Sequence, residues 1–161
     1  MARGVYIHIP FCHQICNYCD FNKFYFKNQP VDEYIEALGK EMALTTEKHP
    51  EKFRNIETIF LGGGTPTALS PEQLDKLLTY IHTYIPMKSV TEFTSEANPD
   101  ELSAAKLQVL FDGGVNRLSM GGFNLLTKDC YRRLGARIVM IMSMKQSPWL
   151  EKLASIISAL I

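Results

Sequence analysis

Four short runs rich in β-branched and aromatic residues, at 5–9 (VYIHI), 58–61 (TIFL), about 91–95 and 115–120 (VNRLSM), alternate with three amphipathic stretches, and this alternation limits the fold more than any other feature. Strands separated by helices at this spacing pair in parallel, through right-handed crossovers. After Pro30, the residues Val31, Tyr34, Ile35, Leu38 and Met42 recur at helical spacing and predict a helix to about Thr46. Ser70-Pro71-Glu72-Gln73 supplies a capping serine, a proline at the first helical position and a capping-box glutamine, followed by the apolar stripe Leu74, Leu77, Leu78, Ile81 and Ile85. Asn98-Pro99-Asp100 predicts the start of a third helix, running through Phe111. The result is an α/β chain of β-loop-α repeated three times and closed by a strand; a full or partial barrel and an open doubly wound sheet both satisfy it. In either architecture function gathers where strand C-termini open into loops. FCHQICNYC, GGGTP and SEANP all fall at such ends and would share one rim.

A chain of 161 residues, 46% of them hydrophobic, buries one core and is too short for two substantial domains. Lysine plus arginine (17) balances aspartate plus glutamate (17), so charge gives no support to a nucleic-acid or anionic-membrane partner. The opening MARGVYIHIP lacks the apolar core of a secretory signal, and the apolar tail WLEKLASIISALI is shorter than the roughly 20 residues of a membrane-crossing helix. A cytoplasmic protein without a membrane span is the expectation. In a reducing compartment, grouped cysteines point to metal or redox chemistry ahead of disulfides.

Cys12, Cys16 and Cys19 form C-x3-C-x2-C in the loop after the first strand. Three buried free cysteines, a zinc site and an iron–sulfur cluster are the readings open to this spacing. A structural zinc site is normally closed by four protein ligands, and the candidates for the fourth, His13 and Asp20, each sit next to a cysteine, where simultaneous ligation is strained. A [4Fe-4S] cluster is usually held by four thiolates, so three leave one iron open to a substrate or cofactor. Gly62-Gly63-Gly64-Thr65 after a strand allows a ligand to approach the backbone closely, and Glu96 at another strand end can accept hydrogen bonds from hydroxyl groups.

Read in order, YIHIPFCHQICNYCDFNK, FLGGGTPTAL, SEANPDEL and GVNRLSMG closely resemble the radical S-adenosylmethionine enzymes, specifically the oxygen-independent coproporphyrinogen III oxidase-like family, from about Gly4 to Gly121. The resemblance implies the N-terminal part of a (β/α)6 partial TIM-type barrel. It also implies a [4Fe-4S] cluster on Cys12, Cys16 and Cys19, with S-adenosylmethionine chelating the open iron and cleaved by one electron to a 5'-deoxyadenosyl radical. By the same resemblance Tyr6 lies beside the cofactor, Tyr18 near its adenine, Gly63, Gly64 and Thr65 against its methionine part, and Glu96 on its ribose. Family members that oxidise coproporphyrinogen carry a further cysteine two positions after the third; here that position is Phe21, a form similar to the haem-chaperone branch. Haem, a haem-acceptor protein and an electron donor are the partners this branch implies. A coproporphyrinogen III oxidase of porphyrin biosynthesis and a non-functional product retaining only the cluster loop are the alternatives. His8, His13, His49 and His82 are read as surface or structural residues, with no haem ligand assigned among them.

The resemblance stops at Gly121, where the family continues GVQSF and this chain reads GGFNLLTKDCYRRLGARIVM. With permitted codons chosen from Gly121 onward, a shifted frame reads GVQSF and later IGRTHS, as the family does. Residues 1–121 are therefore expected to form an incomplete radical S-adenosylmethionine core and 122–161 an out-of-frame tail, which removes Cys130 from the ligand set. The fourth strand is then expected to keep a bare edge.

Overall fold

The computed structural model describes residues 4–16, 19–120 and 140–143; Tyr18, Cys130 and the C-terminal apolar stretch lie outside the described residues. Strands β1 (Gly4–Ile9), β2 (Phe11–Cys12) and β3 (Phe24–Tyr25) precede helix α1 (Val31–Lys48) and the short α2 (Pro50–Phe53). There follow β4 (Thr58–Gly63), α3 (Pro71–Tyr84), β5 (Glu92–Ala97), α4 (Ala104–Asp112), β6 (Arg117–Met120) and β7 (Met140–Ser143).

The main sheet has the order β1-β4-β5-β6-β7. Its first four strands are parallel and follow one another in chain order without a reversal. A doubly wound sheet reverses direction at a switch point, so this unidirectional order matches a partial (β/α) barrel, and among the described strands the sheet does not close. The expectation of a bare edge on β6 is corrected: β7 pairs with it antiparallel, Arg117 opposite Ser143 and Met120 opposite Met140. Backbone N–H and C=O groups at a strand edge are satisfied by any strand in register, whatever its side chains.

Alternation along the strands sorts the two faces. Ile7, Ile9, Ile59, Leu61, Phe93 and Leu118 are buried in one core cluster with Ile35 of α1, Leu74, Leu77 and Ile81 of α3, and Leu107 and Leu110 of α4. Full burial of such side chains contributes about 1.5–3 kcal/mol each. Tyr6, His8, Phe60, Thr94, Glu96, Arg117 and Ser119 occupy the alternate positions, with Tyr6, Phe60, Thr94 and Arg117 following one another in register across four strands. Arg117 Nη1 bonds Glu92 Oε1 at 3.0 Å and Thr94 Oγ1 at 3.2 Å.

Helix α3 begins where the sequence predicts. Gln73 N donates to Ser70 Oγ (3.2 Å) and Ser70 N to Gln73 Oε1 (3.0 Å), completing the capping box. Two boundaries differ. The strand predicted at 58–61 runs on to Gly63, because β1 continues alongside and pairs His8 with Gly62 and Ile9 with Gly63. The helix predicted from Asn98 begins instead at Ala104: Pro99–Glu101 form one 3-10 turn, Leu102 is extended and buried, and Ser103 caps α4 by accepting from Lys106 N at 3.2 Å. Burial of Leu102 against the core outweighs helix continuity there.

Candidate metal and cofactor site

Cys12 sits in the middle of a small hydrogen-bonded seam. On one side Phe24 N donates to Pro10 O (2.7 Å) and Phe26 N to Cys12 O (2.9 Å); on the other Gly64 N donates to Ile9 O and Thr65 N to Phe11 O, both at 2.8 Å. The close approach of the second pair explains one glycine directly. A Cβ on Gly64 would lie 2.7 Å from the Pro10 carbonyl carbon, 2.8 Å from Phe11 O and 2.9 Å from Ile9 O, all backbone atoms that cannot swing aside. Gly63 has φ +114°, and a Cβ there would lie 2.4 Å from the His8 ring. Phe11 anchors the seam from beneath, edge-on to Phe26 and Tyr34 with centroids 6.1 and 5.2 Å away, and Tyr34 Oη donates to His8 O at 2.8 Å.

Of the three thiols Cys12 is buried, at 6% exposure, while Cys16 and Cys19 are half-buried; none is in a disulfide. Burial pushes the Cys12 thiol up, opposed by the Thr65 hydroxyl, which donates to Cys12 Sγ at 3.5 Å. Cys19 N closes a turn onto Cys16 O at 3.1 Å, and Lys23 Nζ then binds Cys19 O and Phe21 O, tying the end of the loop back on itself.

Cys12, Cys16, Cys19, Gly63, Gly64, Thr65 and Glu96 all line one open cleft, joined by Gln14, Phe21, Lys23, Ala97, Asn98 and Ser119. The cleft is open to solvent, and about 730 Å³ of space lies within it and its mouth. Three strand ends and the loop after β1 thus meet on the single rim that the alternating pattern implied. Glu96 Oε2 accepts from Gly63 N at 3.0 Å, so the N–H groups of Gly63, Gly64 and Thr65 are all engaged within the protein. What this segment can offer a ligand is therefore carbonyl oxygen, since the space beside Gly63 and Gly64 is filled by the His8 ring and the Ile9–Phe11 backbone.

Tyr6 lies on the same sheet face but does not line the cleft. It is 57% exposed, stacks on Phe60 with centroids 6.0 Å apart, and its hydroxyl meets His8 Nδ1 at 2.9 Å. His8 Nε2 lies 2.9 Å from Asn22 O, an acceptor, so Nε2 carries the proton and Nδ1 accepts from Tyr6. Burial, and secondarily the Glu96 charge, pushes the Tyr6 hydroxyl up. His13 Nε2 donates to Ala68 O at 3.3 Å and its ring packs on Phe26 at 4.4 Å; His82 Nε2 donates to Gly113 O at 3.0 Å; His49 lies 3.7 Å from Glu51. Neither His13 nor Asp20 lines the cleft, and among the described residues no three His, Cys, Asp or Glu side chains are arranged to hold one metal ion.

Sequence reasoning passes over Gln14, Lys23, Asn98 and Ser119, whose polar types are unremarkable until strand ends bring them together. It also misses a polar cluster behind the cysteine loop. Asn98 N donates to the fully buried Thr67 Oγ1 (3.0 Å), Asn98 Nδ2 to Glu101 Oε1 (3.3 Å) and Lys106 Nζ to Thr67 O (2.6 Å), while Glu101 Oε2 is buried without a partner. Burial holds the Glu101 carboxyl above the usual range and the Lys106 ammonium below it. Both shifts run against ion pairing, so desolvation outweighs the mutual attraction of the two groups.

A model of the Radical SAM superfamily matches residues 6–137 of the chain. The chain is 54% identical over 120 residues to the heme chaperone HemW of Bacillus subtilis (strain 168), covering 74% of this chain and 31% of that one. It is 37% identical over 133 residues to the heme chaperone HemW of Escherichia coli (strain K12), covering 82% and 34%. It is 35% identical over 119 residues to the oxygen-independent coproporphyrinogen III oxidase of Salmonella typhimurium, covering 73% and 26%. The solved structure of coproporphyrinogen III oxidase (HemN) from Escherichia coli superposes with a TM-score of 0.69 at 29% identity, over 94% of this chain and 34% of that one. The chain spans about a third of the length of the curated relatives it matches. Among the described residues no helix is long and apolar enough to cross a membrane.

Proposed function

The chain belongs to the Radical SAM superfamily, and from that premise we propose that Cys12, Cys16 and Cys19 hold a [4Fe-4S] cluster whose fourth iron takes S-adenosylmethionine, in a protein that binds haem and passes it to an acceptor protein. The observation that carries this reading is the shared cleft: three thiols free of disulfides open onto the same space as Gly63, Gly64, Thr65 and Glu96. The donor set fits a cluster better than a single ion, because zinc requires its ligands within about 2.0–2.3 Å of one point, whereas a cluster takes one thiolate per iron. When bound, the cluster and cofactor supply one-electron reductive cleavage of a carbon–sulfur bond.

The protein's part is to hold and orient. The carbonyls of the Gly63–Thr65 segment suit an ammonium group, Glu96 suits ribose hydroxyls, and Tyr18 is proposed against the adenine. Tyr6 sits outside the cleft lining, so its contribution runs through His8, which packs over Gly63 and ties β1 to Asn22 beyond the cysteines. The haem-chaperone assignment is supported by the 54% identity to the Bacillus subtilis relative and by Phe21 in place of a fourth cysteine. The oxidase reading is supported by the structural likeness to the Escherichia coli oxidase. An electron donor, a haem acceptor and a cytoplasmic setting belong to the same proposal, as does the division into a core of 1–121 and an out-of-frame tail of 122–161. The match to the family model runs to residue 137, so the underlying DNA decides that division: a coding sequence with no open shifted frame after Gly121 removes it.

Anaerobic reconstitution tests the central reading. The expected result is about four irons and four sulfides per chain, with a spectroscopic shift on adding S-adenosylmethionine, and loss of the cluster on replacing any of the three cysteines by serine. Uptake of zinc without iron and sulfide would refute it. Haem titration and an assay of porphyrinogen decarboxylation, made on a chain carrying the family-like continuation, separate chaperone from oxidase.

A further inference from the structure

We infer that the Thr65 side chain acts on the cluster: its hydroxyl is the hydrogen-bond donor to the Cys12 sulfur and sets the reduction potential of the group those cysteines hold. The inference rests on the cluster reading of the cysteine loop. Thr65 Oγ1 lies 3.5 Å from Cys12 Sγ, an ordinary separation for a sulfur acceptor. The hydroxyl has one proton, and that proton is directed at the sulfur.

Its position does not depend on a ligand. Thr65 N is bonded to Phe11 O, the residue preceding Cys12, and Gly64 N to Ile9 O, so two backbone rungs fix Thr65 against the strand that carries the sulfur. The three cysteines are not equivalent in this respect. Cys16 and Cys19 are half-buried and within reach of water, whereas Cys12 is 6% exposed, and Thr65 is the one donor to its sulfur among the described residues.

Hydrogen bonds to ligand sulfurs are one of the main determinants of iron–sulfur potentials. On reduction the cluster gains one electron from a low-potential one-electron donor, with no bond made or broken in that step. Part of the added negative charge resides on the thiolates, and an O–H···S bond to a more negative sulfur is stronger. The bond therefore favours the reduced state and raises the potential. The Thr65 hydroxyl donates to the Cys12 sulfur alone among the three cysteines, so the effect of removing it is confined to Cys12.

The test uses the anaerobically loaded full chain and its Thr65→Val, Thr65→Ala and Thr65→Ser variants, in redox titrations followed by electron paramagnetic resonance. Valine replaces the hydroxyl by a methyl of similar size; alanine removes it without asking the seam to accept a second methyl. Both are expected to be reduced about tenfold less favourably than the parent, a downward shift of about 59 mV for one electron, with serine restoring the parent value. Parent-like potentials in the valine and alanine variants would overturn the inference. So would an unchanged potential accompanied by weaker S-adenosylmethionine binding, which returns Thr65 to the cofactor side. Failure of the unsubstituted chain to take up iron and sulfide is a different result and strikes the cluster reading itself.

Discussion

Gly64 shows how a single position can be constrained by its neighbours' main chain. Its missing side chain leaves room for the Ile9–Phe11 backbone and not for a ligand, since the three atoms nearest to where a Cβ would stand all belong to that segment. Gly64→Ala therefore forces apart the two segments that carry Cys12 and Thr65. Overpacking of this kind costs about 1–3 kcal/mol; the expected outcome is a lower urea midpoint together with reduced iron content after reconstitution. Normal iron content in a destabilised variant would show that the seam tolerates the spread. The three cysteines, the glycines and Glu96 are legible at this scale because each is unusual in its local context. Lys23, Asn98 and Ser119 are not, because nothing in DFNK, EANP or RLSM marks a cleft residue until the fold juxtaposes them.

At the scale of elements, legibility follows the range of the deciding interaction. The start of α3 is readable because both hydrogen bonds of its capping box lie within four consecutive residues, Ser70 to Gln73. The start of α4 is not, because Asn98 and Leu102 answer to Thr67 and the core, far away in sequence, and leave Ser103 to cap the helix. Likewise the extension of β4 through its glycines is dictated by β1 and not by their own weak strand preference. Ser70→Ala removes the cap and is expected to cost about 1 kcal/mol, read as a lower urea midpoint with an unchanged slope. Because Ser70 does not line the cleft, iron content should stay at the parent value; a fall would mean that α3 helps to hold the cysteine loop.

For the molecule as a whole, the alternating pattern predicts a parallel sheet with its chemistry on one rim, and the one-directional strand order then selects the barrel-like alternative. The antiparallel β7 cannot be anticipated from periodicity, since its pairing is made by backbone groups against whatever edge β6 presents. A chain stopped after Gly121 loses that strand and leaves the β6 edge open. It is expected to sediment as larger species than the full chain at the same concentration; equal sedimentation would show that β7 protects nothing. The seam around Cys12 carries a consequence for engineering. Half of its hydrogen bonds come from a strand end 53 residues away in sequence, so the cysteine loop is not a detachable cassette. A peptide cut from the loop would keep all three thiols and lose the Gly64 and Thr65 rungs. A graft of the loop into another barrel would have to carry a glycine-threonine pair onto the neighbouring strand as well.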